Sequence, residues 1–402
     1  NKSMKYNYAS RMANLNGTAT REIFKLLGNP EIISFAGGNP AIECLPTERV
    51  KEITADITSS PDFARVLQYG LTAGFPELRA LLADYVRTAG IEGAAVDNIL
   101  VISGGQQGID LVLKTFINPG DVILVENPTY LAFLQIANSY EAVCKGVDSG
   151  EEGLDLADLE AKIKKYRPKV LYCVPTFSNP TGRTYTAENR KAIAELTAKY
   201  GVVVIEDDPY SKLRFKGEYV PSMKSMDRAG NVIFVSSFSK IISPGNRTGV
   251  ACAEPELIRK MEICKQGTDL HTPNLSQMIT YEYLRRGYLE PDLKRAVEIY
   301  GRKKACMSDA IARYMPEEFE CTDPDGGLFI WGRLPKGIDV LKIFPEAIER
   351  KVAYIQGSVF FAEPEGTENY IRLNYSYAND EQIDEGIKRL GGLFKEKIAA
   401  LK

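Results

Sequence analysis

The stretch NVIFVSSFSKIISPGNR, residues 231–247, places one lysine directly after a short apolar run. The run Asn231–Val235 has the length and the apolar composition of a buried strand. Lys240 follows among small hydroxyl side chains, and Arg247 comes seven residues later. A buried lysine is costly unless its amine is neutralised, paired or used covalently. Hydroxyls and a guanidinium that converge beside it form an anion site, most simply a phosphate site, whereas a loop lysine without such partners is merely exposed.

The sequence around this stretch alternates between short apolar runs and helical patterns. Each run is apolar throughout instead of alternating with polar residues, which is typical of strands in a mostly parallel sheet that helices cover on both faces. The pattern therefore predicts an α/β fold. The predicted strands are Ile99–Ile102, Val122–Val125, Val170–Val174, Val202–Glu206, Val232–Val235 and Gly249–Ala253.

The alternation of short apolar runs and helical patterns ends after Pro255. Two long helical stretches, Glu256–Arg286 and Asp292–Tyr314, precede a smaller α+β region with strands near Val352–Ile355 and Tyr370–Asn374. We expect a large domain at 46–286 and a small domain at 287–402. The N-terminal segment, 1–45, contains a predicted short helix at 20–27 and is expected to pack with the small domain and the active site.

Composition limits the classes of function. The 402 residues are 44% hydrophobic and 26% charged, which is typical of a globular protein large enough for two domains. A net charge of −3 gives no general attraction to nucleic acid or to anionic membranes. The longest apolar runs are strand-sized, and no secretory signal pattern opens the chain, so a cytoplasmic location is expected.

The number and spacing of the cysteines and the single histidine limit which metal sites and catalytic groups the chain can form. The seven cysteines are dispersed without a C-x-x-C pair, which indicates reduced thiols. The single histidine, His271, excludes histidine-rich zinc sites, and it excludes a Ser-His-Asp triad unless His271 itself serves. We therefore predict no metal site, and a structural or interface role for His271.

Chemically distinctive residues follow several of the predicted strands at their carboxyl ends, where open α/β sheets bind ligands. Gly105 and its neighbours open a helix after the first strand, so that backbone N–H groups can approach a phosphate. Tyr130 can stack on a planar ring, and Asn179 supplies an amide from a loop whose Asn-Pro bond is a candidate cis bond. Asp207 can keep a pyridine nitrogen protonated, and Tyr210 can bond a phenolic oxygen on the same ring.

Each of these features also has an ordinary structural explanation: turn chemistry for the glycines, core packing for the tyrosine, and helix capping for the aspartate. Their order along the chain, together with Lys240, favours a ligand site. A lysine beside a phosphate pocket indicates a phosphate-bearing aldehyde held as a Schiff base, which is how pyridoxal phosphate is carried.

The motifs resemble those of the fold-type I pyridoxal-phosphate enzymes, in the class I/II aminotransferase family. The motif sequences are similar to those of the family's branch of 2-aminoadipate, kynurenine and aromatic aminotransferases, and the resemblance covers nearly the whole chain. It implies the aspartate aminotransferase-like fold, with a mostly parallel seven-stranded sheet between helices in the large domain and a smaller α+β domain. The motifs are ISFAGGNP at 33–40, SGGQQ at 103–107, VENPTY at 125–130, EDDPY at 206–210 and SFSK at 237–240.

The resemblance implies a role for each matching residue. Lys240 would be the Schiff-base lysine and proton shuttle, Asp207 would pair with the pyridine nitrogen, and Asn179 and Tyr210 would bond the phenolic oxygen. Tyr130 would stack on the ring. The phosphate would be held by Gly105, Gln106, Ser237, Ser239 and Arg247.

Four further residues are implied at the substrate side and the subunit boundary. Arg372 would bind the substrate α-carboxylate as a bidentate pair, and Gly38 would lie behind the substrate. Tyr69 would reach the phosphate of a neighbouring subunit, which implies a homodimer with shared sites. Arg21 matches a position that faces acidic substrate side chains, although a solvated helix residue would look the same.

The resemblance implies ping-pong transfer of an amino group from an aromatic, 2-aminoadipate-like or broader α-amino acid to a 2-oxo acid, with 2-oxoglutarate as the expected acceptor. A lyase or decarboxylase on the same cofactor is the first alternative, which only the resemblance disfavours. A pyridoxal-phosphate-binding sensor is the second, and the sequence has no helix-turn-helix or basic arm to support it. A nucleotide-binding protein lacks support because G-x-G-x-x-G after a strand and a P-loop are both missing.

Overall fold

A central sheet of eight strands organises the chain in a computed structural model, which describes residues 2–15, 25 and 28–402. The predicted helix at 20–27 lies almost wholly outside the described residues. The strands are Ile33–Ser34 (β1), Ile99–Ile102 (β2), Val122–Asn127 (β3), Val143–Gly150 (β4), Gly153–Leu154 (β5), Val170–Cys173 (β6), Val203–Asp208 (β7), Val232–Ser237 (β8), Gly249–Cys252 (β9), Glu320–Cys321 (β10), Phe329–Arg333 (β11), Val352–Ala353 (β12), Ile355–Gln356 (β13) and Tyr370–Asn374 (β14).

The helices lie between these strands and after them. Short 3-10 helices occur at Ser10–Ala13, Ile42–Cys44, Val86–Ala89, Val96–Asn98, Met223–Met226 and Gly357–Phe360. The α-helices are Thr47–Ser59 (α1), Ala64–Leu67 (α2), Pro76–Tyr85 (α3), Gly105–Phe116 (α4), Leu131–Ser139 (α5), Leu156–Tyr166 (α6), Ala187–Lys199 (α7), Pro255–Gln266 (α8), Asn274–Arg285 (α9), Leu289–Tyr314 (α10), Val340–Glu349 (α11) and Asp380–Leu401 (α12).

The strand order of the central sheet is β2-β9-β8-β7-β6-β3-β4-β5. The five strands from β8 to β4 in this order run parallel, whereas β9 is antiparallel to both of its neighbours. This arrangement confirms the predicted α/β fold with a mostly parallel sheet. The sheet has one strand more than the seven predicted, because the two-residue β5 folds back on β4.

Both faces of this sheet are buried, which explains why its strands are apolar throughout. Leu100 and Ile102 of β2 pack into the core on one face, while Ile99 and Val101 pack into a different core on the other. The same alternation holds along β6, where Tyr172 joins the first of these cores. A strand covered on one face only would have alternated with polar residues.

The predicted continuous helix over Glu256–Arg286 is wrong, because the structure has two helices, α8 and α9, in that range. Gly267 ends α8, and the Lys265 carbonyl then accepts N–H bonds from residues 268, 269 and 270. Leu270 adopts a left-handed backbone conformation with φ of 68°, and Pro273 precedes α9. These residues turn the chain between the two helices and bring 269–272 next to the start of α4.

A second sheet, with the order β10-β11-β14-β13, is antiparallel throughout. The predicted single strand at Val352–Ile355 is divided at Tyr354, because β12 pairs with β1 and β13 pairs with β14. Ile33 and Phe35 share a core with residues of this sheet and of α12. The domain boundaries at 45/46 and 286/287 stay predictions. Among the described residues, no helix combines the length and apolar character needed to cross a membrane.

Candidate active site

The carboxyl ends of β6, β7 and β8 and the N-terminus of α4 open into one cavity of about 960 Å³. Side chains from the N-terminal segment and from β14 close its other side. The sequence-predicted residues that line this cavity are Gly38, Gly105, Gln106, Tyr130, Asn179, Asp207, Tyr210, Ser237, Ser239, Lys240, Arg247 and Arg372.

Lys240 follows β8 and lies at the centre of the cavity wall. Its Nζ donates a hydrogen bond to the Gly38 carbonyl oxygen at 2.6 Å. Burial, together with the positive charges of Arg372 and Arg247, lowers the pKa of this amine to about 8. A substantial fraction of the amine is therefore neutral near physiological pH, which a nucleophile or a general base requires.

Asp207 is the last residue but one of β7, and its carboxyl group is buried, only 5% of the residue being exposed. Burial raises its pKa to about 7, and the nearby Asp208 carboxylate raises it as well, although a hydrogen bond from Tyr172 Oη at 2.6 Å opposes the increase. No lysine or arginine of the described chain contributes to this pKa. Asp207 is thus a buried carboxyl group that lacks a cationic partner and borders the cavity.

The opposite end of the cavity is built to bind an anion. Helix α4 begins at Gly105 without a side-chain cap, so its first N–H groups and its dipole face the cavity. The Ser239 hydroxyl lies 2.8 Å from the Ser237 hydroxyl, and Arg247 Nη1 donates to Ser239 Oγ at 3.4 Å. Gly104 has a φ of 89°, and a Cβ atom there would lie 2.4 Å from Arg247 Nη2. Only glycine fits between the helix start and this arginine.

A polar network supports the start of α4 from behind. Lys265 is completely buried, and its Nζ donates to Gln107 Oε1 at 2.7 Å and to Asp269 Oδ1 at 3.0 Å. Gln107 Oε1 also accepts a bond from the Ser103 backbone N–H at 2.7 Å. The sequence did not predict this role, because a lysine on an amphipathic helix normally indicates a solvent-exposed position.

Arg372 reaches the cavity from β14 with only 6% of the residue exposed. Its Nη1 donates to Asn179 Oδ1 at 2.8 Å and its Nη2 to the Ala36 carbonyl at 2.6 Å, while its buried Nε has no partner. The guanidinium lies 4.2 Å from the centroid of the Phe329 ring. Burial lowers its pKa to about 10, so it stays charged at neutral pH and can bind a carboxylate.

The remaining predicted residues complete the cavity wall. Tyr210 packs edge-on against Phe329, with 5.9 Å between ring centroids, and burial raises its pKa. Burial also raises the pKa of Tyr130 to about 12, so both phenols are protonated donors. The Asn179–Pro180 peptide bond is cis, as the sequence suggested.

One predicted residue that the structure describes, Tyr69, does not line this cavity. The Tyr69 side chain is 80% exposed on the outside of the subunit, where its ring lies edge-on to His271 at 6.3 Å between centroids. Arg21 lies outside the described residues. Tyr172 was also missed, because a tyrosine inside the apolar run VLYC at 170–173 looks like an ordinary core residue.

Comparison with known proteins gives a consistent assignment. The family model for class I and II aminotransferases matches residues 30–390. Aromatic-amino-acid aminotransferase 1 of Thermococcus litoralis is 39% identical over 97% of this chain and 94% of its own length.

Two solved structures are similar over almost their whole length. The kynurenine aminotransferase of Pyrococcus horikoshii, in complex with PMP, kynurenine and its product, is 39% identical with a TM-score of 0.93 and 97% of each chain covered. The α-aminoadipate aminotransferase of Thermus thermophilus, complexed with N-(5'-phosphopyridoxyl)-L-leucine, is 37% identical with a TM-score of 0.90 and 98% of each chain covered.

Proposed function

Because the chain belongs to the class I and II aminotransferase family, we propose that the cavity described above is the active site of a pyridoxal-phosphate-dependent aminotransferase. The enzyme transfers the amino group of an α-amino acid to a 2-oxo acid. One observation carries the assignment: a lysine with a lowered pKa lines the same cavity as an anion-binding helix start and a buried carboxyl group without a cationic partner.

The donor set fits pyridoxal phosphate. Asp207 needs a cationic or N–H partner, which a protonated pyridine nitrogen supplies. The uncapped α4 start, the hydroxyls of Ser237 and Ser239, and Arg247 provide donors for a phosphate at the other end. The start of α4 is close to both groups, since a Cβ atom at Gly105 would lie 3.6 Å from Ser237 Cβ and 3.8 Å from Asp207 Oδ1.

When bound, the cofactor supplies an electron sink for the pair of electrons left at the substrate α-carbon. Lys240 Nζ, partly neutral because its pKa is about 8, removes the α-proton and returns it at a different atom. Asp207 would keep the ring nitrogen protonated, while Asn179 and Tyr210 would bond the phenolic oxygen. Tyr130 would stack on the ring, and Gln106 would add to the phosphate site.

Arg372 binds the substrate α-carboxylate in this proposal. Its Nε is buried without a partner and its Nη1 is anchored on Asn179, so the guanidinium is held in place before the substrate arrives. Gly38 lies behind the substrate, where its carbonyl also holds the Lys240 amine. A fixed guanidinium of this kind reduces the ordering cost of binding.

The amino donor is an aromatic, 2-aminoadipate-like or broader set of amino acids, and 2-oxoglutarate is the acceptor. The relatives named above act on aromatic amino acids, kynurenine and α-aminoadipate. Ile355 and Phe360 line the cavity beside Arg372 and suit a large apolar side chain. Acidic side chains would pair with Arg21, a role that stays a prediction.

The active form is a homodimer in which Tyr69 contributes to the phosphate site of the neighbouring subunit. Tyr69 lies between two further exposed apolar side chains, Leu67 at 75% and Leu71 at 60%, which is unusual for a surface that stays in water. A cytoplasmic location also stays a proposal, supported by seven cysteines that are all free thiols.

A substrate panel tests the function directly. Purified protein with added pyridoxal phosphate is assayed with amino donors against 2-oxoglutarate and pyruvate, and Lys240→Ala serves as the inactive control. We expect amino transfer that requires the 2-oxo acid, no turnover by Lys240→Ala and no borohydride-stable attachment of its cofactor. Keto-acid-independent release of ammonia or CO₂ would instead indicate a lyase or decarboxylase. Arg21→Ala should raise the KM for 2-oxoglutarate, and an unchanged KM would remove Arg21 from the site.

A further inference from the structure

A second carboxyl group, Glu126, is buried beside the active site without lining the cavity. It lies near the end of β3 with 2% of the residue exposed. Its Oε1 accepts hydrogen bonds from the Val174 backbone N–H and from Tyr185 Oη, the latter at 2.8 Å, and its Oε2 accepts one from Ser178 Oγ at 2.6 Å. Three donors therefore converge on one carboxyl group, and their hydrogen bonds favour its ionised form although burial raises its pKa to about 7.

All three donors belong to the segment 174–185, which leaves β6 and carries Asn179. This segment makes a tight turn, in which Gly182 N–H bonds back to the Ser178 carbonyl at 2.6 Å. Ser178 directly precedes Asn179, whose Oδ1 accepts the bond from Arg372 Nη1 at 2.8 Å. A continuous line of contacts thus runs from Glu126 through Ser178 and Asn179 to Arg372.

We propose that Glu126 is a positioning residue of the active site: its carboxylate fixes the segment 174–185 so that Asn179 holds Arg372 ready for the substrate carboxylate. This inference rests on the proposed role of Arg372. A buried carboxylate held only by hydrogen bonds is an expensive way to stabilise a loop, since an apolar contact of the same size avoids its desolvation. Because Glu126 holds the residue next to Asn179, we attribute to this costly carboxylate the positioning of Asn179.

The chain offers a matched control in Glu206. This residue is also a glutamate near the end of a strand of the same sheet, β7, with 1% exposed. Its carboxylate accepts two backbone bonds, from Met223 N at 2.7 Å and from Lys224 N at 2.8 Å. The 3-10 helix that it holds, Met223–Met226, does not line the cavity. Loss of Glu206 therefore reports on structure alone.

The test compares Glu126→Ala, Glu126→Gln and Glu206→Ala in the holoenzyme. We expect Glu126→Ala to raise the KM for both the amino acid and the 2-oxo acid about tenfold, with a smaller change in kcat, because misplaced Arg372 loses binding to both substrates. Glu126→Gln should recover most of this loss, since its amide oxygen can still accept from Val174 and Tyr185. Glu206→Ala should lower the melting temperature and leave both KM values within twofold.

The single tryptophan gives a readout that does not depend on turnover. Trp331 is the cross-strand partner of Arg372 and is almost fully buried. Quenching of its fluorescence by 2-oxoglutarate, in protein loaded with pyridoxal phosphate, with which the oxo acid has no amino group to exchange, should show about tenfold weaker binding in Glu126→Ala only. If Glu126→Ala does not fold, Ser178→Ala removes one bond of the line and should raise KM two- to threefold. The proposal would be overturned by equal KM values in Glu126→Ala and Glu206→Ala, or by equal KM values in Ser178→Ala and wild type. An inactive wild type would instead refute the proposed function.

Discussion

Replacement of Asp207 by asparagine should stabilise the cofactor-free protein at alkaline pH while it weakens cofactor binding. The asparagine has nearly the same shape, and its amide oxygen can still accept the bond from Tyr172 Oη. It removes a negative charge that the empty fold holds in a buried position. The expected gain in stability therefore measures the free-energy cost of burying this carboxylate without a partner.

The raised pKa sets the size of the effect. Burial raises the Asp207 pKa from 3.8 to about 7, a difference of about 3 pH units worth about 1.4 kcal/mol each. The unfolded chain loses this proton near pH 4 and the folded chain near pH 7, so the group destabilises the fold progressively between these values. Above pH 7 the cost reaches its full value, about 4 kcal/mol as an upper bound, and at pH 4 less than about 1 kcal/mol remains.

The assay is thermal unfolding of the cofactor-free protein at pH 4, 6 and 8. For a chain of this length, 4 kcal/mol corresponds to about 5 °C in melting temperature. We expect Asp207→Asn to exceed wild type by up to that amount at pH 8 and by little at pH 4. Glu206→Gln is the control, because burial also raises the pKa of Glu206 to about 7, away from the cavity.

Addition of pyridoxal phosphate should reverse the order of the melting temperatures of wild type and Asp207→Asn at pH 8. Wild type gains the pairing between its carboxylate and the ring nitrogen, whereas Asp207→Asn gains only the phosphate contacts. Glu206→Gln should respond to the cofactor as wild type does. An Asp207→Asn protein that is less stable than wild type at pH 8 without cofactor, or that shows a difference independent of pH, would refute the reasoning.

Two further predictions concern the substrate arginine and the subunit boundary. Arg372→Lys should raise the KM for both substrates about 100-fold, because a lysine cannot bond Asn179 and Ala36 while it also binds a carboxylate in two places; a KM within threefold of wild type would contradict this role. Tyr69→Phe should weaken cofactor binding. Co-expression with the inactive Lys240→Ala chain should restore up to about a quarter of wild-type sites, because each mixed dimer has one site in which both residues are native. If no activity is recovered, Tyr69 belongs to its own subunit's site or to no site.

The sequence was sufficient for the parts of the fold that depend on local pattern. Strand positions and a helix start at Gln106, one residue after the observed start at Gly105, were predicted because apolar runs and glycine or proline breaks are local signals. Strand β4 at Val143–Gly150 was missed, since its residues are mostly half-exposed and lack a continuous apolar run. The break between α8 and α9 was missed because one glycine and one histidine-proline turn are weak interruptions of an amphipathic pattern.

The site shows the same division between local and non-local information. Lys240 and Asn179 each follow a strand and Asp207 lies at the carboxyl end of one, so topology brings them together. Arg372 was placed by resemblance, because nothing in the run YIRLN at 370–374 indicates that its arginine is buried. Glu126 lies inside a strand whose neighbours are apolar, and its three donors come from residues about 50 positions later in the sequence. Such a role depends on contacts that no local pattern encodes.

The buried carboxyl groups at the sheet edge differ in how completely their hydrogen-bonding capacity is used. Glu126 accepts three bonds and Glu206 accepts two, all from the protein. Asp207 receives a single side-chain bond, from Tyr172 on Oδ2, and its Oδ1 is the atom that a Cβ at Gly105 would approach across the cavity. An ionised carboxylate normally accepts several donors, so the Asp207 carboxyl group, which borders the cavity, can accept a further donor from a bound ligand. In the proposed function, the protonated ring nitrogen of the cofactor would be that donor.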